Sequence, residues 1–270
     1  MATQLLIYES VVPLTLARHR DCAVEISGDY GFSRKVNSVP LMAAEFRDAA
    51  SEYAIVFTGA DDKIMPVAIL GMRGKENVYV LKDATWHAKY IPAFVRRYPF
   101  VFSISPDEQR FLLCVDEAFT GFNREGRGQR IYGDDGKPTQ YIDNMLKFLQ
   151  DYQRHFHLTQ GFCQKLNELG LFEPMQAQAE LASGEKLSLS GFMAVNRAKL
   201  RAVPGDKLAE LAKTDELELL YLHLHSMRNF RGLKDRLVEE AASENDGDRN
   251  DKRAPADAGK AGRKRAAAGK

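Results

Sequence analysis

AIVFTGADDKIMPVAILGM, residues 54–72, is the stretch on which the fold turns. Ala54–Thr58 is short, apolar and rich in β-branched residues. Gly59-Ala60-Asp61-Asp62 then supplies turn chemistry before a second apolar run, Ile64–Met72. Two such runs around a Gly/Asp cluster predict a β-hairpin. The same reading extends through the turn Arg73-Gly74-Lys75-Glu76-Asn77 to a further strand at Val78–Leu81. It extends again to Phe100–Ser105 and Arg110–Val115, joined by Pro106-Asp107-Glu108-Gln109.

Working outward, Leu5–Tyr8 and Val24–Ile26 read as short strands, and Leu41–Tyr53 as a helix after Pro40. Downstream, Thr139 is placed to cap a helix whose apolar face runs through Tyr141, Ile142, Met145, Leu146, Leu149 and Tyr152. A following helix through Phe162, Leu166 and Leu169 stops at Gly170. Leu187–Val195 reads as a late strand. A last helix spans Asp215 to about Ala242, opened by a capping-box pattern of Asp215 with Glu218. The expected fold class is α+β: an antiparallel sheet of about five strands with a helical insertion, a helical C-terminal half and a disordered tail. Residues 1–243 form one domain, strand-rich over 1–135 and helix-rich over 136–243, and residues 244–270 form the tail.

Composition narrows the function classes. The 270 residues are 44% hydrophobic and 28% charged, enough for a large core without staples. The net charge of +1 hides an asymmetry: from Lys252 onward seven basic residues and one acidic give +6, leaving −5 for residues 1–251. A mildly acidic body argues against nucleic-acid binding by the body. The Ala/Gly-rich tail allows only weak, salt-sensitive contact with nucleic acid or an anionic surface, and it lacks aromatics for stacking. Cys22, Cys114 and Cys163 are far apart and form no CxxC, which suits buried thiols in a reducing compartment. The N-terminal residues do not read as a secretory signal. Ile91–Leu113, the most apolar stretch, is broken by Arg96, Arg97, Pro99, Pro106, Asp107, Glu108 and Arg110, short of the roughly 18 uninterrupted apolar residues of a spanning helix. A cytoplasmic location is expected.

The motifs of common chemistries are missing: no GxSxG elbow and no phosphate-binding GxxxxGK[ST]. His155/His157 and His223/His225 lie two apart in helical segments and so point roughly 200° apart, unsuited to sharing one metal. No metal or cofactor is implied. Gly121–Gly128 reads as a flexible connector, with Arg124 and Arg127 as possible anion contacts in a loop over a site. Of the acids Asp116 and Glu117, at a strand end, one is expected to pair with Arg96 or Arg97.

The densest segment is WHAKYIPAFVRRYPF, Trp86–Phe100, which holds the single tryptophan, two tyrosines, two phenylalanines and two arginines. Pro92 suits the first turn of a short helix and Pro99 its end. Aromatics interleaved with guanidiniums suit a pocket wall or a helix–sheet junction. The candidate ligand-binding residues are therefore Trp86, His87, Tyr90, Arg96, Arg97, Asp116 and Glu117. This segment resembles the SapC-like family of bacterial proteins. NSVPLMAAEFRDAASEYAIVFTG, LLCVDE, GQRIYGDDGKPTQYIDNMLKFL and LELLYLHLHSMRNF extend the resemblance from about residue 37 to 230. The resemblance implies a non-enzymatic accessory or binding protein, with protein partners from surface-layer or TonB-dependent outer-membrane uptake loci. An enzyme or peptide-binding module acting with halogenase-like or cupin-like proteins is the alternative it leaves. It supplies no catalytic residue set.

Overall fold

The computed structural model describes residues 5–104, 111–181 and 183–237. The turn expected at 106–109, the far end of the last helix and the basic tail lie outside the described residues. In chain order the elements are β1 (Val11–Pro13), α1 (Leu16–His19), β2 (Ala23–Val24), β3 (Ser38–Pro40), α2 (Phe46–Ala49), β4 (Ala54–Thr58), β5 (Met65–Ile69), α3 (Ala93–Arg96), β6 (Phe100–Ile104), β7 (Phe111–Asp116), β8 (Phe122–Asn123), β9 (Gln129–Arg130), α4 (Gln140–Glu168), β10 (Phe172–Glu180), β11 (Lys186–Val195), α5 (Arg197–Arg201), α6 (Gly205–Lys213) and α7 (Glu216–Ser226). Residues 229–237 are again helical.

The fold is α+β with antiparallel sheets, as the patterning predicts, and one sheet has five strands. Its membership differs from the expectation. The β4–β5 hairpin forms in register, Ala54 opposite Ile69 and Thr58 opposite Met65. Gly59 makes its turn at φ +103°, where a Cβ would meet the Lys63 carbonyl oxygen at 2.3 Å, so only glycine closes this loop. The sheet then runs β10-β11-β4-β5-β3, drawing two strands from the second half of the chain. Phe100–Ile104 and Phe111–Asp116 pair with each other, and Phe111–Asp116 also with β1, in a separate sheet, β1-β7-β6, while β8-β2-β9 forms a third. Ala54–Phe57 is fully buried, so β4 is a central strand covered on both faces.

Several local expectations are corrected. Val78–Leu81 is a loop with one bridge, Val80 to Trp86, because it turns away after Val78 N–H bonds Leu70 O. Leu5–Tyr8 is a turn, and the strand begins at Val11. The 41–53 helix is shorter than its apolar pattern, a 3-10 turn at Ala43–Glu45 followed by one turn of α2. The two helices expected around 139–169 are one 29-residue helix, α4. Gly170 ends it at φ +64°, with Gly170 N–H on Asn167 O and Leu171 N–H on Leu166 O. Thr139 sits at its N-cap position, but the hydroxyl donates to Arg130 O instead of capping. Asp215 has φ +60° and makes no capping bond, while Glu218 pairs with Arg47. The last helix breaks at residues 227–228. Pro174 and the polar, mostly exposed character of Phe172–Glu180 hid β10, which tolerates them as an edge strand.

α4 packs against residues 43–45 and 61–63, β5 and β6, and so ties the five-stranded sheet to the β1-β7-β6 sheet. α7 packs against β4, β11 and α2. Here the ladder has a gap: β11 pairs with β4 only at Met193 and Phe57. Beyond that point α7 supplies the missing partners. His223 stands between the strands, with Nδ1 2.8 Å from Ile55 O and Nε2 3.0 Å from Val195 N. A carbonyl only accepts and an N–H only donates, so Nδ1 carries the proton and Nε2 is the acceptor. Ser226 Oγ accepts from Ile55 N–H at 3.0 Å and donates to His223 O. Asn229 Nδ2 continues the stripe, donating to Ala50 O and Tyr53 O. His225, two residues on, is exposed.

Burial depresses the His223 pKa from 6.5 to about 4. A depressed histidine stabilises the fold fully above its unfolded value and loses that contribution as pH falls from about 6.5 toward about 4. Protonating Nε2 also removes the acceptor for Val195 N–H. The His223 ring should therefore stay neutral across about pH 5 to 8 in NMR titrations. Its share of the acid destabilisation is about 3 kcal/mol. A ring that titrates near its ordinary value would contradict this packing.

Candidate functional site

The Trp86–Phe100 segment builds one wall of a small cavity. Pro92 occupies the position before α3, as its fixed φ favours, and Ala93, Phe94 and Val95 are buried. The turn sends Arg96 outward and Arg97 inward. The Arg97 guanidinium is buried among the rings of Phe94, Tyr152 and Tyr8, at 4.3, 4.8 and 5.6 Å. Arg96 is exposed, its guanidinium 5.6 Å from the Tyr90 ring centre and 5.5 Å from that of Phe148.

The cavity, about 160 Å³, lies between the 26–32 loop, α3 and the first turns of α4. Tyr30, Phe32, Tyr98, Phe119 and Tyr141 give it aromatic walls. Phe32 stacks on Tyr98 with ring centres 4.0 Å apart, and Phe119 meets Tyr98 edge-on at 5.3 Å. Arg96 and Asp29 are its charged lining residues, and Met145 closes the α4 side. Asp29 Oδ1 accepts from Gly31 N–H at 2.7 Å, which shapes the loop that carries Tyr30 and Phe32. Tyr141 Oη is buried without a protein partner among the described residues. Burial pushes its pKa up to about 12, so it stays a neutral hydroxyl.

Of the seven candidate residues, Arg96 lines this cavity. Three others stand directly behind lining residues. The Trp86 ring meets Tyr30 edge-on at 5.7 Å and its Nε1–H donates to Tyr53 Oη at 2.9 Å. Tyr90 Oη accepts from Arg96 Nη2 at 3.3 Å and donates to Glu45 Oε1 at 2.7 Å. Glu45 is buried and also accepts from the Met42 and Ala93 N–H groups, both at 2.7 Å. Burial raises its pKa against the pull of these bonds. Asp116 accepts from Tyr98 Oη at 3.3 Å and from the N–H groups of Glu9, Ser10 and Ala118 at 2.8, 2.9 and 3.0 Å.

Of the four residues in the expected acid–arginine pairing, Glu117 and Arg96 bond other partners. Glu117 bonds Arg18 Nε and Nη2 and lies 3.2 Å from His19 Nε2. The Arg18 guanidinium holds the Glu117 carboxyl below its usual range. Arg96 instead donates to Ile91 O at 2.9 Å. His87 is exposed and bonds Arg236, whose guanidinium lies 4.4 Å from the Tyr79 ring centre. The Gly121–Gly128 stretch is not a loose connector. Cβ atoms at Gly121 and Gly128 would meet Glu25 O at 2.1 Å and Val24 O at 2.4 Å, and Asn123 clasps the loop through Gly121 O and Arg127 O. Arg124 donates to Arg18 O and Arg127 pairs with Glu125. Among the described residues, no group of three His, Cys, Asp or Glu side chains gathers as a metal site.

The lining residues missed in the sequence come from the GDYGFS stretch, residues 28–33, and from Phe119, Tyr141 and Met145. The clustered Gly28-Asp29-Tyr30-Gly31-Phe32 was the available signal: turn residues alternating with aromatics. The fold and cavity define an α+β protein with a small aromatic-walled cavity lined on one side by Arg96. The chain belongs to the SapC family, whose model matches residues 14–233, a span that contains every lining residue. No curated protein and no solved structure matches it. No helix among the described residues is long and apolar enough to cross a membrane.

Replacing Asp116 by Ala strands three backbone N–H groups and should lower stability by about 3 kcal/mol in urea denaturation. Arg96→Ala removes an exposed side chain held by ring contacts and should cost no more than about 1 kcal/mol. Equal losses from both would make Arg96 a structural residue.

Proposed function

We propose that this SapC-family protein works by binding, not catalysis, and holds a small molecule or a peptide side chain in the aromatic cavity. The carrying observation is the convergence of five aromatic residues and the exposed Arg96 on a space of about 160 Å³. Apolar walls with few polar groups are the usual make-up of a ligand site. Three of the acids and histidines that the sequence offers for chemistry are engaged in holding the fold. Asp116 serves three backbone N–H groups, Glu117 serves Arg18, and His223 serves Ile55 and Val195. Family membership supports the wider role, a cytoplasmic accessory to surface-layer or TonB-dependent outer-membrane uptake systems with protein partners there.

Met145→Trp fills the cavity from the α4 side while leaving the buried stripe of α4 intact. Amino acids and short peptides should raise the melting temperature of the wild type saturably, and Met145→Trp should abolish the shift. A wild type that responds to none of them sinks the binding reading. The accessory role predicts that an envelope protein co-purifies with the tagged chain from its native cells, and repeated recovery of no partner would remove that part.

A further inference from the structure

Building on the binding reading above, we infer that the cavity recognises an aromatic ring bearing a carboxylate, the ring against the wall formed by Phe32, Tyr98 and Phe119 and the carboxylate on Arg96. Size sets the first limit. A cavity of about 160 Å³ is close to the roughly 150 Å³ that holds benzene in an engineered protein core. One six-membered ring fits, and the remainder of any ligand stands at the mouth. The walls set the second. Five aromatic residues line the space, and aromatic walls favour offset or edge-to-face contact with an aromatic guest over an aliphatic one.

Charge sets the third. A guanidinium has five N–H groups. Arg96 spends one on Ile91 O and one on Tyr90 Oη, and the rest of the fork is uncommitted among the described residues. The buried Glu45 fixes Tyr90, and Tyr90 with Phe148 holds the guanidinium plane, so the fork is pre-oriented before a ligand arrives. A carboxylate is the planar two-oxygen partner such a fork matches. Tyr141 Oη adds a buried hydroxyl to the lining without a protein partner. The carboxylate has two sources: a free aromatic amino acid, whose ammonium would face Asp29, or the C-terminal residue of a peptide.

Calorimetric titration of the full chain with phenylalanine, N-acetyl-phenylalanine, N-acetyl-phenylalanine amide and phenethylamine tests this, with Met145→Trp as the blocked control. The two carboxylates should bind the wild type and not Met145→Trp, and Arg96→Gln should weaken both about tenfold or more. Tighter phenylalanine names the free amino acid as the source, and tighter N-acetyl-phenylalanine names a chain terminus. Amide or amine binding as tight as the carboxylates, or indifference to Arg96→Gln, overturns the carboxylate assignment while the binding reading stands. Failure of all four probes on the wild type overturns both.

Discussion

His223 completes a ladder that the strands themselves leave open. β4 and β11 touch at a single register position, and past it the backbone groups of Ile55 and Val195 would lie buried and unpaired. Each orphan of this kind costs about 1–3 kcal/mol. One imidazole, in one tautomer, satisfies Ile55 O and Val195 N–H together, and Ser226 takes Ile55 N–H. The stitch joins the middle of the sheet to its late hairpin and to α7 at one point. The two halves of the chain share the sheet, so their separate folding patterns meet here.

The cavity is built on the same plan of support from behind. Three of its lining side chains are held by a partner one layer deeper: Tyr30 by Trp86, Tyr98 by Asp116, Arg96 by Tyr90 and then Glu45. Asp116 fixes the chain near Glu9 and Ser10 as well, so the ring below the cavity and the N-terminal strand region are positioned by one carboxylate. Such depth keeps a small pocket open, because rings with only each other for support would close on the empty space. Pre-orientation also lowers the entropy lost when a ligand binds.

The sequence carried the support layer more clearly than the pocket. Trp86, Tyr90, Arg96 and Asp116 stand out because aromatic, charged and proline residues crowd into one segment and its neighbouring strand end. Tyr30, Phe32, Phe119 and Tyr141 come from separate stretches, and no local pattern links them. β4 and β5 were legible because two apolar runs flank a glycine turn. β10 was not, since an edge strand needs neither alternation nor the absence of proline.

The sequence by itself determined the α+β class, the 54–69 hairpin, the α4 apolar face and the helical turn between Pro92 and Pro99, because these follow from spacings of two to four residues and local turn chemistry. Tertiary structure alone decided which strands share a sheet, that His223 serves the ladder, and that Arg96 faces a cavity while Arg97 is buried among rings. Those outcomes depend on partners far away in the chain, and local periodicity carries no information about which distant backbone group a side chain will meet.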